Sequence, residues 1–347
     1  MKTMLVFVGA VQIGGGAPVR IQSMTKCKTE NIKAVIREIN GLEKAGCEII
    51  RVAVPNQSVV KNIPIIKTKI NIPLVADIHF DHRLAIESIK AGADKIRINP
   101  GNIGADYKVR EIIEAAKNKN IPIRIGVNAG SISKSILSKY KNPNVKAILE
   151  SIKQNLKIFE KKDFQNLVLS AKTANPIETV EVYQRLAEIY PYPLHIGVTE
   201  AGLPFDGVIR NTAAIAILLN KGIGDTIRVS LTGPSLLEVE AAKEILSSLG
   251  KRKSGPTLIS CPTCGRCDVN IVKIARQVKK QLENIKLPIK VAVMGCVVNG
   301  PGEACSADYG IACGKRSGIL FRKGKIVKKS QEENLVSELI ALIQEQR

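Results

Sequence analysis

The chain has 347 residues, 45% of them hydrophobic, a size and composition that predict two domains with substantial cores and exclude a disordered chain or a membrane bundle. Lys and Arg number 52 against 31 Asp and Glu, and the resulting charge of +21 is spread along the whole chain. Trp is absent and aromatic residues amount to 3%, which leaves few side chains for stacking on single-stranded bases, so we expect an anionic ligand and no nucleic-acid partner.

The first residues alternate in polarity and lead to Gly14, Gly15 and Gly16, a pattern that predicts a β-hairpin. Their apolar run is too short for a secretory signal, Gln12 interrupts it, and no A-x-A-like cleavage site follows. We therefore expect a cytoplasmic protein without a membrane partner. In that compartment, clustered cysteines indicate metal or redox chemistry rather than disulfides.

Eight short, nearly continuous apolar runs follow, separated by amphipathic stretches. They span residues 20–24, 48–54, 73–79, 94–99, 121–128, 166–172, 193–199 and 225–231. Such runs are typical of parallel strands that are covered on both faces. Eight βα units in succession predict a TIM (β/α)8 barrel. A doubly wound sheet is the alternative, but the chain contains neither a G-x-G-x-x-G nor a Walker A pattern.

Polar side chains recur near the carboxyl ends of these predicted strands, where the active sites of TIM barrels lie. The candidate substrate-binding residues are Arg51, Asp77, His79, Arg97, Asn99, Arg124, Asn128, Ser170, Lys172, His195, Thr199, Arg228 and Ser230. For any one of these Arg side chains taken alone, the alternative role is an ion pair within the core. Four Arg and one Lys at matching ends of five strands favour a phosphorylated or diphosphate ligand, because guanidinium groups match phosphate oxygens.

The segment Lys251–Gly255 predicts a linker between two domains. We expect a barrel over residues 1–250, a linker over 251–256 and a small α/β domain over 257–347. The second domain should contain a strand at TLISC, a helix over about 269–284 and a strand at KVAVMGC. A hairpin over GILFRKGKIV and a final helix from about residue 332 complete it.

Six of the eight cysteines fall within residues 261–313. Cys261 and Cys264 share a C-x-x-C turn, which zinc ribbons and iron–sulfur sites both use, and Cys296 follows a predicted strand. A second C-x-x-C, as in a zinc ribbon, does not follow, and the ferredoxin run C-x2-C-x2-C-x3-C-P fails at Ile271. Spacing therefore favours an iron–sulfur cluster over zinc. The residues left open as further ligands are Cys267, Cys305, Cys313 and Glu303.

Eight segments resemble one family in sequence order. They are GCEIIRVAVP, PLVADIHFD, RINPGNIG, PIRIGVNAGS, HIGVTEAG, GIGDTIRVSLTGP, CPTCGR and MGCVVNGPGEA. The chain is similar to the 4-hydroxy-3-methylbut-2-enyl diphosphate synthases of the non-mevalonate isoprenoid pathway, in their two-domain bacterial form. The resemblance extends from about Val8 to Gly324, and the last segment is close to diagnostic.

The resemblance implies one 4Fe–4S cluster per chain, bound by Cys261, Cys264, Cys296 and Glu303. A carboxylate is a harder and more exchangeable ligand than a thiolate, so one iron can open to a substrate oxygen. The implied reaction is the two-electron reductive ring opening and dehydroxylation of 2-C-methyl-D-erythritol 2,4-cyclodiphosphate. The resemblance also implies a homodimer and reduced flavodoxin or ferredoxin as electron donor.

Two further residues receive roles from the same resemblance. Asn299 is a candidate substrate contact. The candidate catalytic residues are Glu200, in the VTEAG segment, as proton donor, and Glu303 as cluster ligand. The chain departs from the family at Lys26-Cys27, where an Asn-Thr pair is usual, and this leaves open any substrate contact from that loop. The cysteines outside the family pattern are Cys267, Cys305 and Cys313.

Two other functions remain as alternatives. A pterin-binding barrel of the dihydropteroate synthase kind would share the architecture and the preference for phosphate, but it leaves the cysteine-bearing domain unexplained. A zinc-bearing nucleic-acid-binding protein would account for the charge.

Overall fold

The computed structural model describes residues 2–252, 255–267, 269–296, 302 and 304–345. The chain divides into two compact units, residues 1–252 and residues 253–347. Within the described ranges, no helix is both long and apolar enough to cross a membrane.

The amino-terminal unit opens with an antiparallel hairpin of β1 (Val6–Val8) and β2 (Val11–Ile13), as the sequence predicted. Gly9 occupies the turn in left-handed backbone, with φ of +55°. The apolar side chains of the hairpin pack on residues near the amino ends of three barrel strands, namely Ile49, Val75 and Val168. The hairpin therefore closes the amino-terminal end of the barrel.

Eight parallel strands form the barrel. They are β3 (Arg20–Met24), β4 (Ile49–Ala53), β5 (Leu74–Asp77), β6 (Lys95–Ile98), β7 (Ile123–Asn128), β8 (Leu167–Lys172), β9 (His195–Ile196) and β10 (Thr226–Ile227). The sheet order runs from β8 down to β3 and then through β10 to β9. A parallel bridge between Leu169 and Leu194 joins the two ends and closes the sheet. Each strand lies within its expected range, and the predicted TIM barrel is confirmed.

Ten helices of the amino-terminal unit connect or follow these strands. They are α1 (Ile32–Ala45), α2 (Gln57–Lys67), α3 (His82–Lys90), α4 (Pro100–Ile103), α5 (Asp106–Lys119), α6 (Lys134–Tyr140), α7 (Val145–Glu160), α8 (Pro176–Ile189), α9 (Pro204–Asn220) and α10 (Ser235–Ser248). In α1, Val35, Ile39 and Leu42 recur on one buried face. Asn31 caps its first turn, and Gly46 ends it in left-handed backbone.

Among its described residues, the carboxyl-terminal unit has a five-stranded sheet and two long helices. Its elements are β11 (Thr257–Ser260), α11 (Ile271–Leu282), β12 (Lys290–Met294), β13 (Tyr309–Gly314), β14 (Ser317–Arg322), β15 (Lys325–Gln331) and α12 (Leu335–Gln344). The predicted strands, hairpin and helices all occur, whereas β13 was not predicted. Strands β11, β12 and β13 are adjacent and parallel, so their carboxyl ends meet at one edge of the sheet.

Candidate active site and metal centre

Basic and polar side chains line the interior of the barrel, where branched apolar layers are usual. On β6, Ile96 and Ile98 pack in the outer core beneath the helices, so Lys95 and Arg97 point inward by alternation. Arg124 on β7 pairs in register with Arg97 and points inward as well. The exposed fractions of Lys95, Arg97 and Arg124 are 0%, 7% and 1%. The interior of the barrel therefore holds buried positive charge.

Asp77 at the end of β5 is a buried acid among these cations. Its Oδ1 accepts a hydrogen bond of 3.1 Å from Arg97 Nη1. Its Oδ2 lies 3.7 Å from Arg51 Nε and 3.4 Å from His79 Nε2. Burial alone would raise the pKa of Asp77, but Arg51, His79 and Arg97 hold it well below its usual range. Asp77 is thus ionised and fixes three of the predicted site residues in one group.

A second buried acid, Glu238 on α10, organises the opposite side of the mouth. Its Oε2 lies 3.3 Å from Arg228 Nη2, and its Oε1 lies 2.9 Å from Lys26 Nζ. Its carboxylate also accepts hydrogen bonds from Ser23 Oγ and from the backbone N–H of Leu231. Lys26 Nζ further donates to the carbonyl oxygen of Leu231 at 2.7 Å. The residue that departs from the family pattern is therefore bound to the β10–α10 connection.

Seven buried side-chain nitrogen atoms have no hydrogen-bond partner within residues 2–252. One, Asn155 Nδ2, belongs to α7, and the other six lie on barrel strands or directly after one. They are Gln22 Nε2, Lys95 Nζ, Arg97 Nε, Arg124 Nε, His195 Nε2 and Arg228 Nε. Buried polar groups in folded proteins almost always find a partner, so this set indicates a ligand that brings hydrogen-bond acceptors.

The basic side chains lie close enough together to change the pKa of several of them. Burial lowers the pKa of Arg51 to about 10, with Asp77 opposing that effect and Arg228 adding to it. Burial, reinforced by Arg228 and Arg124, holds the pKa of Lys172 well below its usual range. The interior therefore favours anything that carries negative charge into it.

His195 lies deep in the barrel rather than at its mouth. The ring is fully buried, and its Nδ1 lies 2.8 Å from Thr226 Oγ1. Burial and the cations Arg124 and Lys172 hold the pKa of His195 well below its usual range, so the ring is neutral.

The other predicted site residues lie at the carboxyl ends of the strands or just beyond them. Asn99 Oδ1 accepts from the N–H of Gly101 and caps α4, and the Asn128 N–H donates to Ser131 Oγ. Glu200 is exposed in the loop after β9, in left-handed backbone with φ of +54°. The rest are Ser170, which is buried, and Thr199 and Ser230, which are half-buried.

Two cysteines of the second unit, Cys261 and Cys296, lie at the edge where its parallel strands end. Cys261 directly follows β11, and Cys296 lies just beyond β12. The N–H of Gly295 donates to Cys261 Sγ over 3.3 Å. Cys264 is exposed, and its carbonyl oxygen accepts from the N–H of Cys267 over 3.0 Å, which closes the C-x-x-C-x-x-C turn.

Gly295 leaves room for sulfur at this edge. A Cβ placed on it would lie 2.6 Å from Cys267 Sγ and 3.2 Å from Cys261 Sγ, closer than real contacts permit. This edge offers cysteine sulfur atoms, a backbone N–H that donates to one of them, and a glycine that packs against two of them. Together these features fit a metal–sulfur group. Glu303 and Asn299 lie outside the described residues, and among those described no three His, Cys, Asp or Glu side chains are arranged to bind a metal ion.

Three residues of the barrel site were not identified from the sequence. Lys95 lies two residues before Arg97 on the inward face of β6, so strand alternation extended one step deeper would have found it. Gln22 lies on β3, where no site residue was predicted, and it joins the site through a contact with Arg124. Glu238 carries no such signal, because it comes from a helix whose first turn approaches the mouth only in the folded barrel.

Comparison with known proteins decides the family. Residues 3–243 match the GcpE TIM-barrel domain, and residues 257–345 match the GcpE protein C-terminal domain. The chain belongs to the GcpE family. It is 55% identical over 339 residues to the 4-hydroxy-3-methylbut-2-en-1-yl diphosphate synthase (flavodoxin) of Thermodesulfovibrio yellowstonii, covering 98% of this chain and 97% of that one. It is 54% identical over 333 residues to the enzyme of the same name from Caldicellulosiruptor saccharolyticus, covering 96% of each.

The expected family and activity are thereby confirmed. The GcpE relatives are synthases of isoprenoid biosynthesis that act as oxidoreductases, and this chain is an enzyme of that family. The GcpE barrel also resembles a dihydropteroate synthase from Coxiella burnetii, solved with pteroic acid, with a TM-score of 0.50 over 71% of this chain and 97% of that one. At 10% identity, that likeness shows the barrel fold alone.

Proposed function

We propose that this chain converts 2-C-methyl-D-erythritol 2,4-cyclodiphosphate into (E)-4-hydroxy-3-methylbut-2-enyl diphosphate. The ring opens at the carbon–oxygen bond to phosphate and one hydroxyl leaves as water. Two electrons and one proton enter, which balances the change from a dianionic substrate to a trianionic product. Family membership supports the reaction, and the unpartnered donors inside the barrel support the class of substrate.

The observation that carries the proposal is the imbalance of charge inside the barrel. The inward basic side chains are Arg51, Lys95, Arg97, Arg124, Lys172 and Arg228, and the described acids that face them are Asp77 and Glu238. In a medium of low dielectric, uncompensated cations attract a diphosphate strongly. Arg97 and Arg228 each keep Nε free of a protein partner within residues 2–252, while an acid orients the other end of the guanidinium. Each guanidinium is therefore held ready for a phosphate oxygen.

The residues proposed to hold the 4Fe–4S cluster are Cys261, Cys264, Cys296 and Glu303. Such a cluster, when bound, supplies the two electrons one at a time. The N–H of Gly295 would hydrogen-bond to the Cys261 sulfur and so make reduction easier. We propose reduced flavodoxin as the electron donor, as the names of the relatives state for them, with ferredoxin as a substitute.

The proton for the leaving hydroxyl comes from a barrel loop in this proposal. Glu200 is the proposed donor, since its carboxyl group is exposed and its backbone is held in a conformation that non-glycine residues seldom adopt. Asn99 and Asn128 flank the ends of β6 and β7 and are proposed to bind the hydroxyl groups of the substrate. Asn299 is proposed as a further contact from the second unit.

We further propose a cytoplasmic homodimer that acts on a small molecule and binds neither nucleic acid nor membrane. The even spread of charge and the low aromatic content support the absence of a nucleic-acid partner. The dimer follows from the family resemblance alone.

Anaerobic turnover of the cyclodiphosphate by reconstituted protein, with a strong artificial reductant and phosphorus NMR, tests the proposal. We expect the cyclic signals to give way to those of a linear diphosphate. Cys264→Ser should abolish iron binding and turnover, whereas Cys305→Ser, which alters another exposed cysteine, should retain both. Absence of conversion by wild-type protein with iron and sulfide bound would overturn the proposed reaction.

A further inference from the structure

Lys95 occupies the deepest position of the polar interior. It is the first residue of β6, two residues before Arg97 on the same inward face. Its partner in register on β5 is Val75, which packs against the hairpin that closes the barrel. Lys95 is fully buried, and its Nζ has no hydrogen-bond partner within residues 2–252. An amine therefore lies between the apolar base of the barrel and the layer of arginines.

The charged groups around Lys95 are of its own sign. Arg124 on β7 and Arg51 on β4 are close enough to act on it, and neutral His195 on β9 lies within reach of its field. Arg97 lies farther along its own strand. Burial and the two arginines hold the pKa of Lys95 well below its usual range and so favour the neutral amine in the ligand-free protein.

The two acids of the interior are already engaged elsewhere. Asp77 contacts Arg97, Arg51 and His79, and Glu238 contacts Arg228 and Lys26. Neither is positioned as a partner for Lys95 Nζ.

A lysine in this setting does not serve packing. Its methylene chain could be replaced by that of Met, which carries no group that must lose its water on burial. Without a ligand the amine destabilises the fold, and the loss is offset only if negative charge arrives. Residues of this kind, unfavourable for stability, are typical of binding sites.

We propose that Lys95 is the base of the diphosphate site and takes up one proton from solvent when the anion binds. This inference rests on the proposed function and adds a binding residue to it. The two negative charges of the cyclodiphosphate reverse the sign of the potential around Nζ and favour the ammonium form. Each phosphate of the cyclic diphosphate has a single ionisation with its pKa in the acid range, so both are fully ionised near neutral pH. The proton is therefore taken up by the protein and not by the ligand.

The sign of the pH dependence follows from linkage. The pKa of Lys95 is higher in the complex than in the free protein, so the proton is taken up only between these two values. Affinity for the cyclodiphosphate should fall as the pH rises through that interval, by up to about tenfold per pH unit for one proton. Lys172 shares the same trend, so the contribution of Lys95 is measured as a difference between proteins.

Calorimetric titration of the oxidised protein with cyclodiphosphate, in two buffers of different ionisation enthalpy, counts the protons taken up without turnover. The variants are Lys95→Met and, as matched control, Lys90→Met, which removes an exposed lysine of α3 paired with Glu87. We expect Lys95→Met to take up about one proton fewer than wild type and to bind at least about tenfold more weakly, with Lys90→Met unchanged. Equal proton uptake by wild type and Lys95→Met would overturn the inference.

The melting temperature of the ligand-free proteins provides a second readout. Replacing a lysine with a purely structural role would lower it. Lys95→Met should melt at least about 2 °C above wild type and gain less from added cyclodiphosphate. A lower melting temperature, or a variant that fails to fold, would contradict the proposal. If wild type gives no binding heat, the proposed function falls and this inference falls with it. If wild type turns over but shows no Lys95-dependent proton, only the inference falls.

Discussion

Arg97 donates a hydrogen bond of 3.1 Å from Nη1 to Oδ1 of Asp77, and both side chains are buried at the ends of the neighbouring strands β6 and β5. The pair fixes one end of the guanidinium while its Nε remains without a partner in the described barrel. A buried acid thus orients a cation toward the ligand, and the same acid restrains Arg51 and His79.

Asp77→Asn removes the negative charge and keeps the shape of the side chain. Because Arg97 and Arg51 then remain buried without their acid, we expect the free energy of unfolding at pH 7 to fall by about 3–5 kcal/mol. The pKa of Asp77 is lower in the folded than in the unfolded chain, so its stabilisation is present above about pH 4 and is lost as the pH falls further. Urea unfolding between pH 7 and pH 2.5 should therefore show the gap between wild type and variant narrowing at acid pH. A constant gap would contradict the assignment.

Gly126→Ala tests the position of the Arg97 side chain. A Cβ on Gly126 would lie 2.7 Å from Arg97 Nε, so the guanidinium must move from its place. We expect weaker binding of the cyclodiphosphate, with iron content unchanged, measured by calorimetry and iron analysis. The control is Gly41→Ala in α1, where a Cβ meets no atom within 4 Å. It should leave binding unchanged and raise stability by about 0.5–1 kcal/mol, because alanine favours helix.

Gly295→Ala tests the arrangement of the sulfur atoms. The added methyl group would overlap Cys267 Sγ and crowd Cys261 Sγ, so both must shift. We expect iron and sulfide per chain after reconstitution to fall to less than about half. Gly265→Ala, in the same cysteine turn with no atom within 4 Å of its Cβ, should load normally. Equal loading of the two variants would show that the sulfur positions are set elsewhere.

Alkylation by iodoacetamide distinguishes the proposed cluster ligand Cys264 from Cys305, since both are exposed. In cluster-free protein both should react rapidly, whereas Cys47 and Cys313 should not, because burial raises the pKa of each thiol to about 12. After anaerobic reconstitution, Cys264 should be protected and Cys305 should remain reactive. Peptide mapping by mass spectrometry reads out each site, and protection of Cys305 with a reactive Cys264 would reverse the assignment.

The barrel and much of its mouth could be predicted from the sequence because strand alternation is a local property. An inward residue such as Arg97 predicts the direction of every second residue on its strand. The same reasoning placed Lys172 at the carboxyl end of β8. It was wrong for Arg124, which is the second residue of β7 and lies deeper in the barrel than the end of its strand, because β7 begins only at Ile123. Strand β13 was missed, since its two glycines, Gly310 and Gly314, weaken the apolar pattern that marks a strand.

The pairing of charges could not be predicted, because it depends on which elements meet in the folded barrel. Glu238 lies on a helix 212 residues from Lys26, and only the folded chain shows that the two side chains meet. The sequence likewise left open whether Lys26 contacts substrate, since the carbonyl oxygen that its Nζ contacts belongs to the β10–α10 connection. The ligand role of Glu303 stays a prediction.

The hairpin of β1 and β2 gives the barrel a single open end. With Val6, Val8 and Ile13 packed against its amino-terminal rim, nothing as large as a diphosphate passes through the base. Substrate and product must therefore pass through the same opening, at the carboxyl ends of the strands. Product must therefore leave before the next substrate molecule can bind, and accumulated product should inhibit by competing with substrate for the free barrel.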